Sequence, residues 1–347
     1  MLKEIMLDEN VECYREYYHK ASHKTIYHHP QFLLAEQRAE QYKIYLYIYE
    51  EQDRFAILPS VKRKINDIDV FSDLKEVFYD LITPHEYSGI LSDRYDLDFY
   101  RKFYKELTAY CFGHNIIFQF IRFNPYSEEY KAAEGIQVTY SDAQDWVACT
   151  EDILQHFQKR KAGYVRSAVK NGMRLVNTEK SKLDIECFFS YYTKAMDRLK
   201  ARKFLYFNKT YFAELCKEEF TKLFLVQSED GSEVYSGAVI LCDKENKRIY
   251  YHLVFKNYGK EKVHSMEYMI FSLAEWAREN GYISLHLGGG GEQLHRFKDG
   301  CTDKRVDYYI GSAVYNKEVY QKLEDLFCGK YPEALDSQYL PIYRFNE

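Results

Sequence analysis

Two stretches of this chain, one in each half, run through the same succession: a β-hairpin, an amphipathic helix, a glycine and a buried strand. In the first, residues 42–50 (YKIYLYIYE) alternate, and residues 54–62 (RFAILPSVK) answer them across Glu51-Gln52-Asp53, which predicts an antiparallel hairpin. Residues 98–112 carry helical periodicity. Gly113 stands where a helix C′ glycine is expected, and residues 115–123 (NIIFQFIRF) read as a buried strand closed by Asn124-Pro125. In the second stretch, residues 222–228 form a strand, and residues 234–242 and 248–255 form the hairpin. Ser265 is the expected N-cap of a helix running through Trp276, with Glu267 in the first turn, where the helix dipole favours it. Gly281 then precedes the strand at residues 282–287, matching Gly113 in the first half. The pattern predicts an α/β fold with a duplicated unit. A length of 347 residues suits two domains, expected at 1–150 and 151–347. The second is entered through a mostly helical, basic segment, 151–220. No Pro/Gly/Ser linker marks the boundary, so the halves are expected to pack rather than swing.

Composition narrows the function classes. Basic residues number 48 and acidic residues 53, a formal charge of −5, which excludes a protein that binds DNA through bulk positive charge. An aromatic content of 17% with only 6 prolines predicts an ordered globular chain. The eight cysteines are dispersed without a CxxC, so zinc-ribbon and thioredoxin readings fail, and reduced core thiols are expected. His28-His29, His264, His286 and His295 show no HExxH-like spacing, so no metal is expected. The first residues lack the apolar stretch of a signal peptide, and the longest apolar runs fall well short of the ~18 residues of a membrane span. The expectation is a soluble cytoplasmic protein without a membrane span.

Four constellations carry candidate chemistry. Residues 159–174 hold six basic residues and no acidic one. At helical spacing Lys159, Arg166, Lys170 and Arg174 form one stripe and Ala162, Val165, Val169 and Met173 another. A cationic ridge on an acidic chain suits a phosphate-bearing partner, although a solvated helix face would read the same way. In the run 196–207, Arg198 and Arg202 at i, i+4 are placed to clamp one anion, or simply end a charged helix against the core. In LHLGGGGEQLHRFK (285–298), Gly288, Gly289, Gly290 and Gly291 follow a buried strand and would let the backbone approach a ligand with its N–H groups exposed. The loop is neither GxGxxG nor a P-loop. Lys298, just beyond it, is placed to meet a developing oxyanion. In strand 248–255, alternation sends Tyr251 and His252 to opposite faces, and a strand histidine is more often a satisfied core residue than a catalyst.

Three pieces in this order resemble the FemA/FemB/FemX-like acyltransferases of the GNAT superfamily: KRKAGYVRSAVKNGMRL (159–175), RIYYHLVF with its following helix, and GYISLHLGGGGEQLHRFK (281–298). HHPQFLLAEQ (28–37) is similar to that family's first characteristic helix, and the likeness covers nearly the whole chain. The resemblance implies two GNAT-like domains packed around a shared cleft, with mixed central sheets flanked by helices. It implies transfer of an acyl or aminoacyl group to an amine of a cell-envelope or nucleotide-linked precursor. The donor would be aminoacyl-tRNA, with tRNA as a partner, or acyl-CoA. Lys298 matches the family's FK lysine. Arg198, or else Arg202, looks like the arginine that meets the acceptor's phosphates. His286 stands where relatives carry Asp, and the pyrophosphate-binding R/Q-x-x-G-x-G/A is absent, since residues 256–261 hold one glycine. Amide formation needs an oxyanion stabiliser and a proton acceptor. Gly288 to Gly291 and Lys298 suit the first role, and Tyr251, His252 or His286 the second, with Arg166 and Lys170 binding the acceptor. Two rival readings are an acyl-CoA-dependent N-acetyltransferase of a nucleotide-linked amino sugar and a catalytically inactive GNAT-fold binding module.

Overall fold

The computed structural model describes residues 2–87, 89–337 and 339–345; the side chains of residues 204, 261 and 262 lie outside the described ones. The chain forms two compact units, Met1–Ser141 with Tyr308–Glu347, and Asp142–Asp307. The first holds β1 (Leu2–Met6), α1 (Val11–Lys20), α2 (Pro30–Glu40), β2 (Ile44–Glu51), β3 (Arg54–Lys64), β4 (Tyr79–Ile82), β5 (Leu91–Ser92), α3 (Leu97–Gly113) and β6 (Ile116–Arg122). Strand β7 (Gln137–Ala148) leads into the second unit. There follow α4 (Lys159–Lys170), β8 (Arg174–Asn177), α5 (Lys182–Leu199), α6 (Lys209–Cys216), β9 (Thr221–Gln227), β10 (Val234–Asp243), β11 (Arg248–Lys256), α7 (Ser265–Glu279), β12 (Ser284–Gly288) and α8 (Glu292–Lys298). Strand β13 (Lys304–Val314) returns the chain to the first unit, where α9 (Lys317–Lys330) follows.

Within the first unit the strand order is β1-β2-β3-β4-β6-β13, antiparallel throughout except for the parallel pair β4/β6. Within the second it is β8-β9-β10-β11-β12-β7, antiparallel except for the parallel pair β11/β12. Order and direction are the same, and each parallel pair is bridged by a helix, α3 or α7, as a crossover requires. The repeat expected from the sequence is therefore present, but its alignment shifts by one strand. Helix α3 follows β4, so the hairpin β2/β3 corresponds to β9/β10 and not to β10/β11. Strand β4 (YDLI) escaped notice because it is short and carries the fully buried Asp80. That carboxylate is held by Arg63 Nε at 2.7 Å and Arg344 Nε at 2.6 Å. A division at residue 150 also assigns the whole C-terminal tail to the second unit. Residues 310–314 of β13 instead pair with β6, which draws the tail into the first.

Local chemistry sets the element ends. The β2/β3 turn is two residues long, Gln52-Asp53, with Gln52 at φ 57° between the paired Glu51 and Arg54. Asp96 caps α3 by accepting from the Asp98 and Phe99 amides. That helix buries Phe99, Tyr100, Phe103, Tyr104, Leu107 and Cys111 along one face. It runs through Gly113, and the chain reverses at Asn115 (φ 55°) rather than at the glycine. In the second unit Gly281 does take the left-handed conformation, at φ 82°. The N-cap of α7 is His264 (φ 50°), one residue before the expected Ser265.

The core of the second unit forms where Ala162, Val165 and Ala168 of α4 and Met269, Leu273 and Ala277 of α7 meet Ile240, Ile249, Leu285 and Leu287 of the sheet. Each fully buried Val, Leu, Ile or Met side chain here contributes about 1.5–3 kcal/mol. Aromatic residues serve α5 and α6: Phe188 lies 5.0 Å from Phe255 of β11 and 5.5 Å from Phe212. None of the described helices is long and apolar enough to cross a membrane.

Candidate functional site

At the end of β12 the four glycines form a tight loop. Gly288 and Gly290 have φ of 72° and 141°, conformations that a side chain would strain. A Cβ on Gly289 would collide with the Asp142 carboxylate, and one on Gly290 with Leu294. Backbone conformation thus favours glycine at 288 and 290 and close contacts favour it at 289 and 290, whereas a Cβ on Gly291 (φ −66°) would meet nothing within 4 Å. Lys298, at the end of α8, is buried at 4% exposure. Its ammonium donates to the carbonyl oxygens of Gly288 at 2.7 Å and Gly289 at 2.5 Å. From the other side the Gly290 N–H reaches Asp142 Oδ2 at 3.4 Å. The expectation of a loop with its N–H groups open to a ligand is corrected at Gly290, whose N–H points at a carboxylate of the same unit.

One turn before Lys298 on α8 stands His295. Its Nδ1 lies 2.9 Å from Asp145 Oδ2, and its Nε2 3.4 Å from Asp142 Oδ2. The Asp145 side chain is fully buried and also accepts from Arg305 Nε at 3.0 Å, while Arg305 bonds Asp299 as well. Asp142 Oδ1 is buried without a hydrogen-bond partner among the described residues. Two acids, a histidine and an arginine, all in the second unit, therefore meet around the glycine loop.

The other candidates are scattered. Helix α4 buries Ala162, Val165 and Ala168, and Val169 is exposed instead of packed. The helix stops at Lys170 because the chain turns at Gly172 (φ 70°), so Arg174 opens β8 and leaves the predicted stripe. Arg166 and Lys170 remain exposed on α4. The Arg198/Arg202 pair does not share a helix: α5 ends at Leu199, Lys200 is left-handed at φ 48°, and Arg202 lies beyond. Arg198 sits over the Tyr258 ring at 4.8 Å. Tyr251 and His252 do face opposite ways. Tyr251 packs against the α4/α7 core, and the Tyr211 hydroxyl of α6 lies 2.8 Å from His252 Nε2. His252 is an extra residue of β11, since Val239 pairs with Leu253 and Ile240 with Tyr251. His286 is buried on β12, 5.3 Å from the Tyr250 ring.

No family model matches the chain, and no curated protein matches it by sequence. Solved structures do. A FemX crystal structure superposes with a TM-score of 0.66 over 90% of this chain and 98% of that one, at 12% identity. The chain has the fold of FemX. L-PGS from Bacillus licheniformis follows with a TM-score of 0.57, 12% identity, and coverage of 87% of this chain and 91% of that one. A tandem GNAT protein from the clavulanic acid biosynthesis pathway gives 0.52, at 8% identity, over 91% of this chain and 99% of that one. The expected GNAT-like α/β architecture is thereby present along nearly the full length.

Inside this FemX-like fold, two groups escaped the sequence reading. One is the Asp142–His295–Asp145–Arg305 cluster, whose hydrogen-bonded members are up to 160 residues apart in sequence. The other is Lys161, which lies on neither predicted stripe and turns inward to Glu267 at 2.6 Å, over the Phe297 ring. A buried strand aspartate such as Asp145 costs several kcal/mol unless paired, which is the one local hint that a partner exists. Among the described residues no group of three or more His, Cys, Asp or Glu side chains is placed to hold a metal.

Proposed function

We propose that this protein is an acyltransferase that forms an amide, moving an aminoacyl or acyl group to an amine of a cell-envelope or nucleotide-linked precursor. The observation that carries the reading is the FemX fold, matched over 90% of the chain. A C-terminal domain named as that of a lysylphosphatidylglycerol synthetase shares that fold, and the name, which describes attachment of a lysyl group to a lipid, supports aminoacyl transfer in general. Attack of an amine on an ester or thioester places negative charge on the carbonyl oxygen and a surplus proton on nitrogen. In this reading the glycine loop and the buried cation of Lys298 stabilise the first. The exposed cations Arg166, Lys170, Arg198 and Arg202 meet the phosphates of the acceptor. Incubation with labelled acetyl-CoA and, separately, with labelled aminoacyl-tRNA in the presence of amine acceptors tests it. Label recovered in an amide supports the reading and names the donor. No transfer from either donor overturns it in favour of a binding module, a role that the loop's engagement with Asp142 and Lys298 also suits.

A further inference from the structure

Resting on that reading, the geometry points to His295 as the general base of the second unit, with Asp145 as its positioning residue and Asp142 as the seat of the acceptor's ammonium. Three observations carry this. First, a base needs a fixed tautomer. Asp145, fully buried and anchored by Arg305 at 3.0 Å, faces His295 Nδ1 at 2.9 Å, which fixes the proton there and leaves Nε2 to act. Second, Nε2 looks toward Asp142, whose Oδ2 is 3.4 Å away and whose Oδ1 is buried without a hydrogen-bond partner among the described residues. A primary ammonium carries three donors and bonds both Asp142 Oδ2, on the exposed part of that side chain, and the neighbouring Nε2. Third, the pair is reachable: the side chains of His295 and Asp142 are 19% and 29% exposed.

The earlier candidates lack this combination. The Tyr251 hydroxyl is sealed in the core, His252 Nε2 is engaged by Tyr211, and His286 is 2% exposed. His295 also shares α8 with Lys298, three residues on, so proton acceptor and buried cation are fixed against one glycine loop.

The ammonium bound at Asp142 gives one proton to His295 Nε2 and becomes a neutral amine. Its lone pair forms the N–C bond to the donor carbonyl, and the C–O or C–S bond to the carrier breaks. The leaving oxygen or sulfur takes the proton from Nε2, and the second ammonium proton passes to solvent. The products are the amide, the free carrier hydroxyl or thiol, and one proton.

Two measurements separate this proposal from the reading beneath it. In ¹⁵N-imidazole NMR, with the resonance assigned by His295→Gln, His295 is expected as the Nδ1–H tautomer. Titration with the primary amine L-alaninamide is expected to shift its Nε2 signal, and Asp142→Asn to abolish that shift. An Nε2 signal indifferent to L-alaninamide, or one that shifts equally in Asp142→Asn, overturns the amine site whatever the donor proves to be. In the labelled-donor assay, His295→Gln is expected to lower kcat by about 10²–10⁴-fold with KM for the amine within a few-fold, the range of a lost general base. Asp142→Asn is expected chiefly to raise that KM, and Asp145→Asn to lower kcat and alter the tautomer signal. Unchanged kcat in folded His295→Gln overturns the proposal while leaving the acyltransferase reading intact. Absence of transfer by the wild type overturns that reading, and the titration still decides the amine site.

Discussion

Lys161 of α4 and Glu267 of α7 form an ion pair of 2.6 Å, with only 15% and 7% of their side chains exposed. It joins the two helices that cover the core of the second unit. Removing one partner leaves an uncompensated charge in a low-dielectric setting, which costs about 3–5 kcal/mol. Glu267→Leu and Lys161→Met are each expected to lower the urea midpoint accordingly. The double variant is expected to be more stable than either single one, because both desolvation penalties vanish together. Equal or additive losses in the double variant would refute the coupling.

Tyr251 tests the same region without charge. Its hydroxyl is buried and has no hydrogen-bond partner among the described residues, and burial holds the phenol well above its ordinary pKa. Such a group is a poor proton relay. Tyr251→Phe is expected to keep full activity and to gain up to about 1–3 kcal/mol by removing an unsatisfied polar atom. A large loss of turnover in this variant would restore Tyr251 to the catalytic list.

Gly289 is a position where the loop admits no side chain. Gly289→Ala would push a methyl into the Asp142 carboxylate. A loss of about 1–3 kcal/mol is expected, as for overpacking elsewhere. Shortening the partner with Asp142→Gly should recover most of it, which a thermal melt of the single and double variants would show.

Lys298 has a structural role beside any catalytic one. Its ammonium satisfies two carbonyls of the glycine loop from a buried position. Lys298→Ala is expected to cost about 1–3 kcal/mol, well beyond the ~0.5 kcal/mol of a surface lysine. If the cation also stabilises the transition state, kcat falls by about 10²–10³ with little change in KM, and Lys298→Arg rescues only in part. A stable protein with wild-type turnover would contradict both roles.

Glu129 of the first unit gives a pH signature. It is fully buried, bonds the Ile90 amide at 2.9 Å, and burial raises its pKa to about 7 from 4.5. Between these values the unfolded chain loses this proton while the folded one keeps it. Stability from this group is therefore greatest below about pH 4.5 and declines as pH rises to about 7, by roughly 3 kcal/mol in all. Glu129→Gln should remove the decline. Denaturant melts of both proteins from pH 5 to 7.5 check it: a stability difference independent of pH would refute the assignment.

Local order along the chain was written in its hydrophobic periods. The alternation in β2 and β3, the apolar face of α3, and the succession of β10, β11, α7 and β12 are properties of neighbouring residues, so the α/β class and the repeat could be read without coordinates. The resemblance in 159–175 and 281–298 led in the same way to the FemX-like fold. Tertiary structure decided what depends on partners distant in sequence. The backbone pairing of β6 with β13, not any local pattern, gives the first unit its last strand. Arg174 left the basic stripe because Gly172 ended the helix one turn early. Lys161 turned inward because Glu267, 106 positions away, neutralises it there. Asp142 and Asp145 meet His295 only when β7 lies beside β12, bringing together side chains about 150 residues apart. Periodicity reports which face of an element is buried; which charges face one another is set by where the elements pack.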